Sequence, residues 1–171
     1  MPFEFAILDF IRGNMTNHAL NAIMIFITSL GNGGIIWIII SAVMIITKKY
    51  RKTGIKIAVS LIFSFLVCNL CIKPIIARPR PFEVKKTALI ITPPSDYSFP
   101  SGHTAASFAA AVTLIKNKRS PFSVCALILA FLIAFSRLYL YVHFPTDIFA
   151  GMVLGTMFSF AADKLVDKFF N

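Results

Sequence analysis

Between Arg12 and Lys48 the chain carries no Asp, Glu, Lys or Arg, and the stretch is rich in Ile, Met and Ala. Such a run has no charged residue with which to meet water. Inside a bilayer the backbone must satisfy its own hydrogen bonds, which leaves helices or a closed barrel. The remainder repeats the pattern, with apolar runs separated by short charged clusters. Of the 171 residues, 57% are hydrophobic and 14% charged, with a mean hydropathy of +0.79. Soluble domains carry about 45–50% apolar and about 25% charged residues. One small core cannot hide this excess, so the chain reads as a single integral membrane domain over residues 1–171.

The apolar runs predict an all-α bundle of six transmembrane helices. Gly31-Asn32-Gly33-Gly34 divides the first run into two short spans, roughly 18–30 and 35–47. A third covers about 55–72 and closes at Lys73-Pro74, because proline cannot continue a helix cleanly. Six prolines between Pro74 and Pro100 predict a long loop. Further helices are expected at about 102–115, 121–138 and from Pro145 into the Lys164–Lys168 tail. Residues 1–16 mix Phe3, Phe5, Ile7, Leu8, Phe10 and Ile11 with Glu4, Asp9 and Arg12. They read either as an interfacial helix on the inner leaflet or as an extension of the first span. Met1 to Phe10 carry Glu4 and Asp9 and lack a basic leader, so no cleavable signal is expected in them.

Six crossings place both termini on one side. On that side fall 11 of the 17 Lys and Arg residues, among them the cluster Lys48, Lys49, Arg51, Lys52 and Lys56. The excess predicts cytoplasmic termini and an extracellular or periplasmic opposite face. The net charge of +10 thus belongs to loops beside anionic lipid. No polar face for nucleic acid exists. Cys68, Cys71 and Cys125 all lie within apolar runs and read as packing residues, not as a disulfide framework.

The six remaining cations need a local reason to sit on the outer side. Lys85 and Lys86 fit interfacial anchors. The others fall in or beside three short segments: Lys73 to Pro81, Pro100-Ser101-Gly102-His103, and Ser136 to Asp147. By the crossing count all three meet at the outer ends of helices 3–6. Lys73, Arg80 and Arg137 can clamp phosphate oxygens, the guanidinium forks in bidentate fashion. Arg78-Pro79 and Arg80-Pro81 are tandem copies, and the spacing from Lys73 favours Arg80. Ser101 and Gly102 open a helix whose free N–H groups and dipole favour an anion. His143 and Asp147 lie four residues apart across a helix start. There the carboxylate can fix one ring nitrogen while the other attacks phosphorus. His103 is left as general acid for the departing oxygen.

Lys-x6-Arg-Pro at Lys73–Pro81, Pro-Ser-Gly-His at Pro100–His103 and Ser-Arg-x5-His-x3-Asp at Ser136–Asp147 resemble the three motifs of the type 2 phosphatidic acid phosphatase (lipid phosphate phosphatase) family. The resemblance implies metal-independent hydrolysis, without a cofactor, of a phosphomonoester or diphosphate through a phosphohistidine on His143. It implies that Asp147 orients that histidine, that His103 protonates the leaving group, and that Lys73, Arg80, Ser101, Gly102 and Arg137 hold the phosphate. Vanadium-dependent haloperoxidases are similar in the same motifs, so the motifs mark an oxyanion pocket more than one reaction. An outward-facing site favours a membrane lipid phosphate as partner: undecaprenyl diphosphate first, then phosphatidylglycerophosphate or phosphatidic acid. A phosphotransferase using the same site and a non-catalytic lipid-phosphate carrier are the competing expectations. Gly151-x3-Gly155, the Ala105/Ala109 pair and Trp37 read as helix-packing residues.

Overall fold

A computed structural model describes residues 2–170, and all the regular structure among them is helical. The elements are α1 (Pro2–Met15), α2 (His18–Leu30), α3 (Ile35–Ile46), α4 (Arg51–Ser64), α5 (Lys73–Ile76), α6 (Pro81–Lys85), α7 (Gly102–Asn117), α8 (Pro121–Tyr139) and α9 (Pro145–Phe169). A π-helical segment, Phe65–Ile72, joins α4 to α5 without a break. Prolines open α6, α8 and α9, where the missing N–H is not needed. Ser101 caps α7 and Ser120 caps α8, each with its side-chain oxygen.

Helix α7 is the central post and packs against α3, α4, α8 and α9. Its composition explains why. Ala105, Ala109, Ala110 and Ala111 are fully buried and let neighbouring backbones approach. Against them α9 presents Gly151 and Gly155. A Cβ at Gly155 would lie 2.3 Å from the Ala105 carbonyl oxygen and 2.9 Å from the Ala109 nitrogen. Trp37 reaches from α3 to donate its indole N–H to Ser107 Oγ at 2.9 Å. At one end of the bundle a buried Lys56 pairs with Asp167 at 3.0 Å and Asn117 at 2.8 Å, tying α4, α7 and α9 together.

Two expectations need correction. The residues read as two separate spans, α2 and α3, form a bent pair with a 46° break at Gly31–Gly34, where Gly33 and Gly34 take left-handed φ. Three helical stretches are individually long and apolar enough to cross a bilayer, and the bent pair makes a fourth. Helix α7 has only 16 residues. Among the described residues, three helices and one bent pair meet the length and apolarity of a span, against the six expected.

The second correction concerns the termini. Residues 2–15 do form a helix, but α1 lies at the Lys73 end of α4. Glu4 bonds Arg78, Leu8 packs on Tyr141 and Phe144, and Phe5 stacks edge-on to Phe144 at 5.4 Å. The last turn of α9 lies at the Lys56 end, where Lys52 reaches the Phe170 carbonyl. Beginning and end of the chain thus sit at opposite ends of the bundle, whereas six crossings require them together. The reason is tertiary: α1 has an acid and an apolar face that match Arg78 and Phe144, partners 70 to 140 positions away.

Gly155→Ala should push α7 and α9 apart, because the obstructing atoms are backbone and cannot rotate away. A loss of about 1–3 kcal/mol is expected, read as a lowered midpoint of thermal unfolding in detergent. An unchanged midpoint would contradict the close backbone contact.

Candidate active site

The long loop between α6 and α7 lines one side of an open cavity of about 730 Å³. Lys73, Arg80, His103, Arg137 and His143 line it together, although they come from 70 positions of sequence. Lys73 stands at the start of α5, carried there by the continuous α4–π–α5 helix. Arg80 immediately precedes α6. Arg137 lies in the last turn of α8, and His143 in the short turn before α9.

Arg80 is 2% exposed and fully engaged. Its Nη1 donates to the Val142 carbonyl at 2.7 Å and lies 3.2 Å from His143 Nε2. Its Nε donates to the Asp96 carbonyl at 2.7 Å, and Nη2 to Asp96 Oδ1 at 2.6 Å. Lys73 Nζ meets the other oxygen of Asp96. Arg137 donates from Nη1 to Thr28 Oγ1 at 2.7 Å, leaving a buried Nε without a partner. A buried donor with no acceptor is costly, and this one belongs to a residue lining the cavity.

His143 is 1% exposed. Its Nε2 faces Arg80, and its Nδ1 lies 3.4 Å from Asp147 Oδ2, at ion-pair distance but without hydrogen-bond geometry. Burial, then the charges of Arg80, Arg137 and Lys73, push its pKa well below the ordinary imidazole value. The ring is therefore held neutral, with a lone pair available.

Asp147 is completely buried and held from several sides. Arg78 Nη1 donates to Oδ1 at 2.6 Å, the Phe144 N–H donates to Oδ2 at 2.8 Å, and the Ser98 hydroxyl donates to the same oxygen. Arg78 thus turns away from the cavity. Its other nitrogen bonds Glu4 at 2.8 Å, and its guanidinium lies over the Phe144 ring at 4.0 Å. Of the tandem arginines, Arg80 enters the cavity and Arg78 supports the carboxylate behind it. Glu4, on α1, belongs to the stretch read as an interfacial helix or an extension of the first span. No local pattern connects it with Arg78.

His103 lines the cavity from the first turn of α7, with Nε2 donating to Asn32 Oδ1 at 2.9 Å. Asn32 sits in the glycine-rich break between α2 and α3, so that bend delivers a polar side chain to the site. Ser101, expected to hold phosphate, stands immediately before α7. Its N–H donates to the Asp147 carbonyl at 3.2 Å, and its Oγ accepts from Thr104 Oγ1 at 3.0 Å, so it fastens α7 to α9 beneath the cavity. Gly102 faces the neighbouring groove, where a Cβ would meet Asn69 Oδ1 at 2.9 Å.

Asp96 is the residue sequence reasoning missed altogether. It is the only acid between Glu83 and Asp147, which was the available signal. Burial alone would raise its carboxyl, but the hydrogen bond and charge of Lys73 and the charge of Arg80 hold it down at about 2.

A second depression of about 580 Å³ adjoins the cavity and descends between α3 and α4. Ile38, Ala58, Leu61, Ile62 and Phe65 give it an apolar wall, while Lys73, Asp96 and His103 border both spaces.

Comparison with known proteins identifies the family. The chain is 36% identical over 147 residues to an undecaprenyl-diphosphatase of Sulfolobus acidocaldarius, covering 85% of this chain and 70% of that protein. It is 33% identical over 163 residues to phosphatidylglycerophosphatase B of Bacillus subtilis, covering 87% and 76%. The crystal structure of a transmembrane PAP2-type phosphatidylglycerolphosphate phosphatase from Bacillus subtilis superposes with a TM-score of 0.77 at 28% identity, over 98% of this chain and 86% of that one. Residues 53–170, from the start of α4 through α9, match the PAP2 superfamily model. That span contains the cations, both histidines and Asp147, and the protein belongs to the PAP2 superfamily.

Proposed function

We propose that this protein is a membrane lipid phosphatase that removes phosphate from a lipid-linked phosphomonoester or diphosphate. The observation that carries the reading is the meeting of a neutral, buried His143 with Lys73, Arg80 and Arg137 in one cavity beside an apolar groove. The cations supply the charge that a phosphoryl group needs as its oxygens gain negative character, without recourse to a metal. The groove suits a hydrocarbon tail, and the cavity its head group. Undecaprenyl diphosphate is the favoured substrate, in line with the Sulfolobus relative's name. Phosphatidylglycerophosphate, the substrate class of the Bacillus relative, and phosphatidic acid follow.

In this reading His143 Nε2 attacks phosphorus, the bond to the leaving oxygen breaks, and His103 gives that oxygen a proton. Water then attacks the phosphohistidine while His103 takes its proton, and inorganic phosphate leaves with His143 restored. Asp147 stabilises the Nδ1 side of the ring as positive charge develops. Arg78 and Glu4 hold Asp147, and Asn32 holds His103. With α1 at the site end, ten of the 17 Lys and Arg residues still lie toward the opposite end. The site therefore faces the extracellular or periplasmic side.

Purified protein should release inorganic phosphate from the three lipid phosphates in excess EDTA, fastest from undecaprenyl diphosphate. His143→Ala should lower turnover by about a thousandfold or more. Activity that survives this substitution would remove the nucleophile from the proposal, and a requirement for added Mg²⁺ would remove the cationic clamp. Because His143 must be unprotonated to attack and its pKa is depressed, the acid limb of kcat/KM due to this residue should fall well below pH 6.5. A limb at the ordinary imidazole value would count against it. Arg78→Ala leaves Asp147 buried without its cation and should destabilise the fold by about 3–5 kcal/mol. Unfolding in detergent measures the loss, and Arg78→Lys should recover part of it.

A further inference from the structure

Asp96 places a carboxylate where the proposed phosphate oxygens belong. One of its oxygens lies 2.6 Å from Arg80 Nη2 and the other on Lys73 Nζ. The two cations are almost inaccessible, with side chains 2% and 7% exposed, yet the Asp96 side chain is 52% exposed. It borders both the cavity and the apolar groove, at the junction a lipid head group must pass. The Asp96 carbonyl is separately held by Arg80 Nε at 2.7 Å. The carboxylate can therefore rotate toward solvent while the loop backbone stays in place.

We infer that Asp96 is an internal competitor for the clamp: substrate phosphate displaces its carboxylate, and the carboxylate returns to displace the product phosphate. The inference rests on the reading of Lys73, Arg80 and Arg137 as phosphate ligands. Its physical basis is charge. Three clustered cations with no counter-anion would hold a phosphate dianion tightly and retain the product. A tethered carboxylate competes at high effective concentration, weakening every anion in proportion. A lipid phosphate recovers binding from its tail in the groove. Free phosphate has no tail and leaves. Asp96 thus keeps the clamp weak enough for its own product to leave, while the tail, not the carboxylate, distinguishes lipid-linked phosphate from free phosphate.

The test is product inhibition of the purified enzyme by inorganic phosphate. Asp96→Asn keeps the size and removes the charge, so its Ki for phosphate should fall by about tenfold or more, with KM for the lipid substrate falling in parallel. Asp96→Glu, which restores the charge, should stay nearer the wild type. Phosphate inhibition that is unchanged or weaker in Asp96→Asn overturns the inference. Direct phosphate binding to Lys73→Ala separates this failure from that of the clamp itself. If Lys73→Ala binds phosphate as the wild type does, the clamp reading falls and the role of Asp96 with it. If Lys73→Ala loses phosphate while Asp96→Asn matches the wild type, only the competitor falls. A structure of the wild-type protein with orthovanadate needs no variant. The carboxylate should have left both cations, and its persistence on Lys73 and Arg80 beside the bound anion would refute displacement.

Discussion

Three cations held in one water-poor space repel one another, and every feature around the cavity answers that repulsion. A buried charge is stable only when paired or hydrogen-bonded. Arg80 meets this by donating to the Val142 and Asp96 carbonyls, Arg137 by donating to Thr28, and Lys73 through the Asp96 carboxylate. The buried Arg137 Nε finds no acceptor among the described residues, and it belongs to the cavity in which the proposed function seats the phosphate. Helix packing serves the same end. Gly151 and Gly155 admit α7 at backbone contact, so the first turns of α7 and α9, which carry His103 and Asp147, lie side by side.

A second electrostatic layer stands behind the first. Asp147 is buried and shared among Arg78, Ser98 and the Phe144 N–H, while its approach to His143 stays at 3.4 Å. The carboxylate is thus immobilised by groups other than the histidine it faces. Arg78 is in turn held by Glu4 on α1 and by the Phe144 ring. The first helix, which lies outside the PAP2-matched span, is in this way built into the support of the site.

Much of the site was legible because its residues announce themselves by chemistry in an apolar chain. Lys73, Arg80, His103, Arg137 and His143 stand out against helices of Ile, Leu and Phe, and all five line one cavity. A helix-opening serine can bind an anion or cap its own helix, and for Ser101 the structure adds contacts with Asp147 and Thr104 that no local pattern marks. Asp96 escaped notice because one acid in a proline-rich loop has no periodicity or motif to mark it. The α2–α3 pair was divided because glycines mark a break in a helix without giving its angle.

The sequence by itself determined that the chain is helical and membrane-embedded, and which polar side chains stand out as candidates for the cavity. Those properties follow from hydropathy, proline placement and residue chemistry, all local. Tertiary structure alone decided that α1 lies at the site end, that Arg78 serves Asp147 while Arg80 enters the cavity, and that Asp96 sits on the clamp. Each of the last three depends on pairing charges 16 to 74 positions apart. Coulomb attraction in a low-dielectric interior acts on distance in space, and spacing along a chain does not encode it.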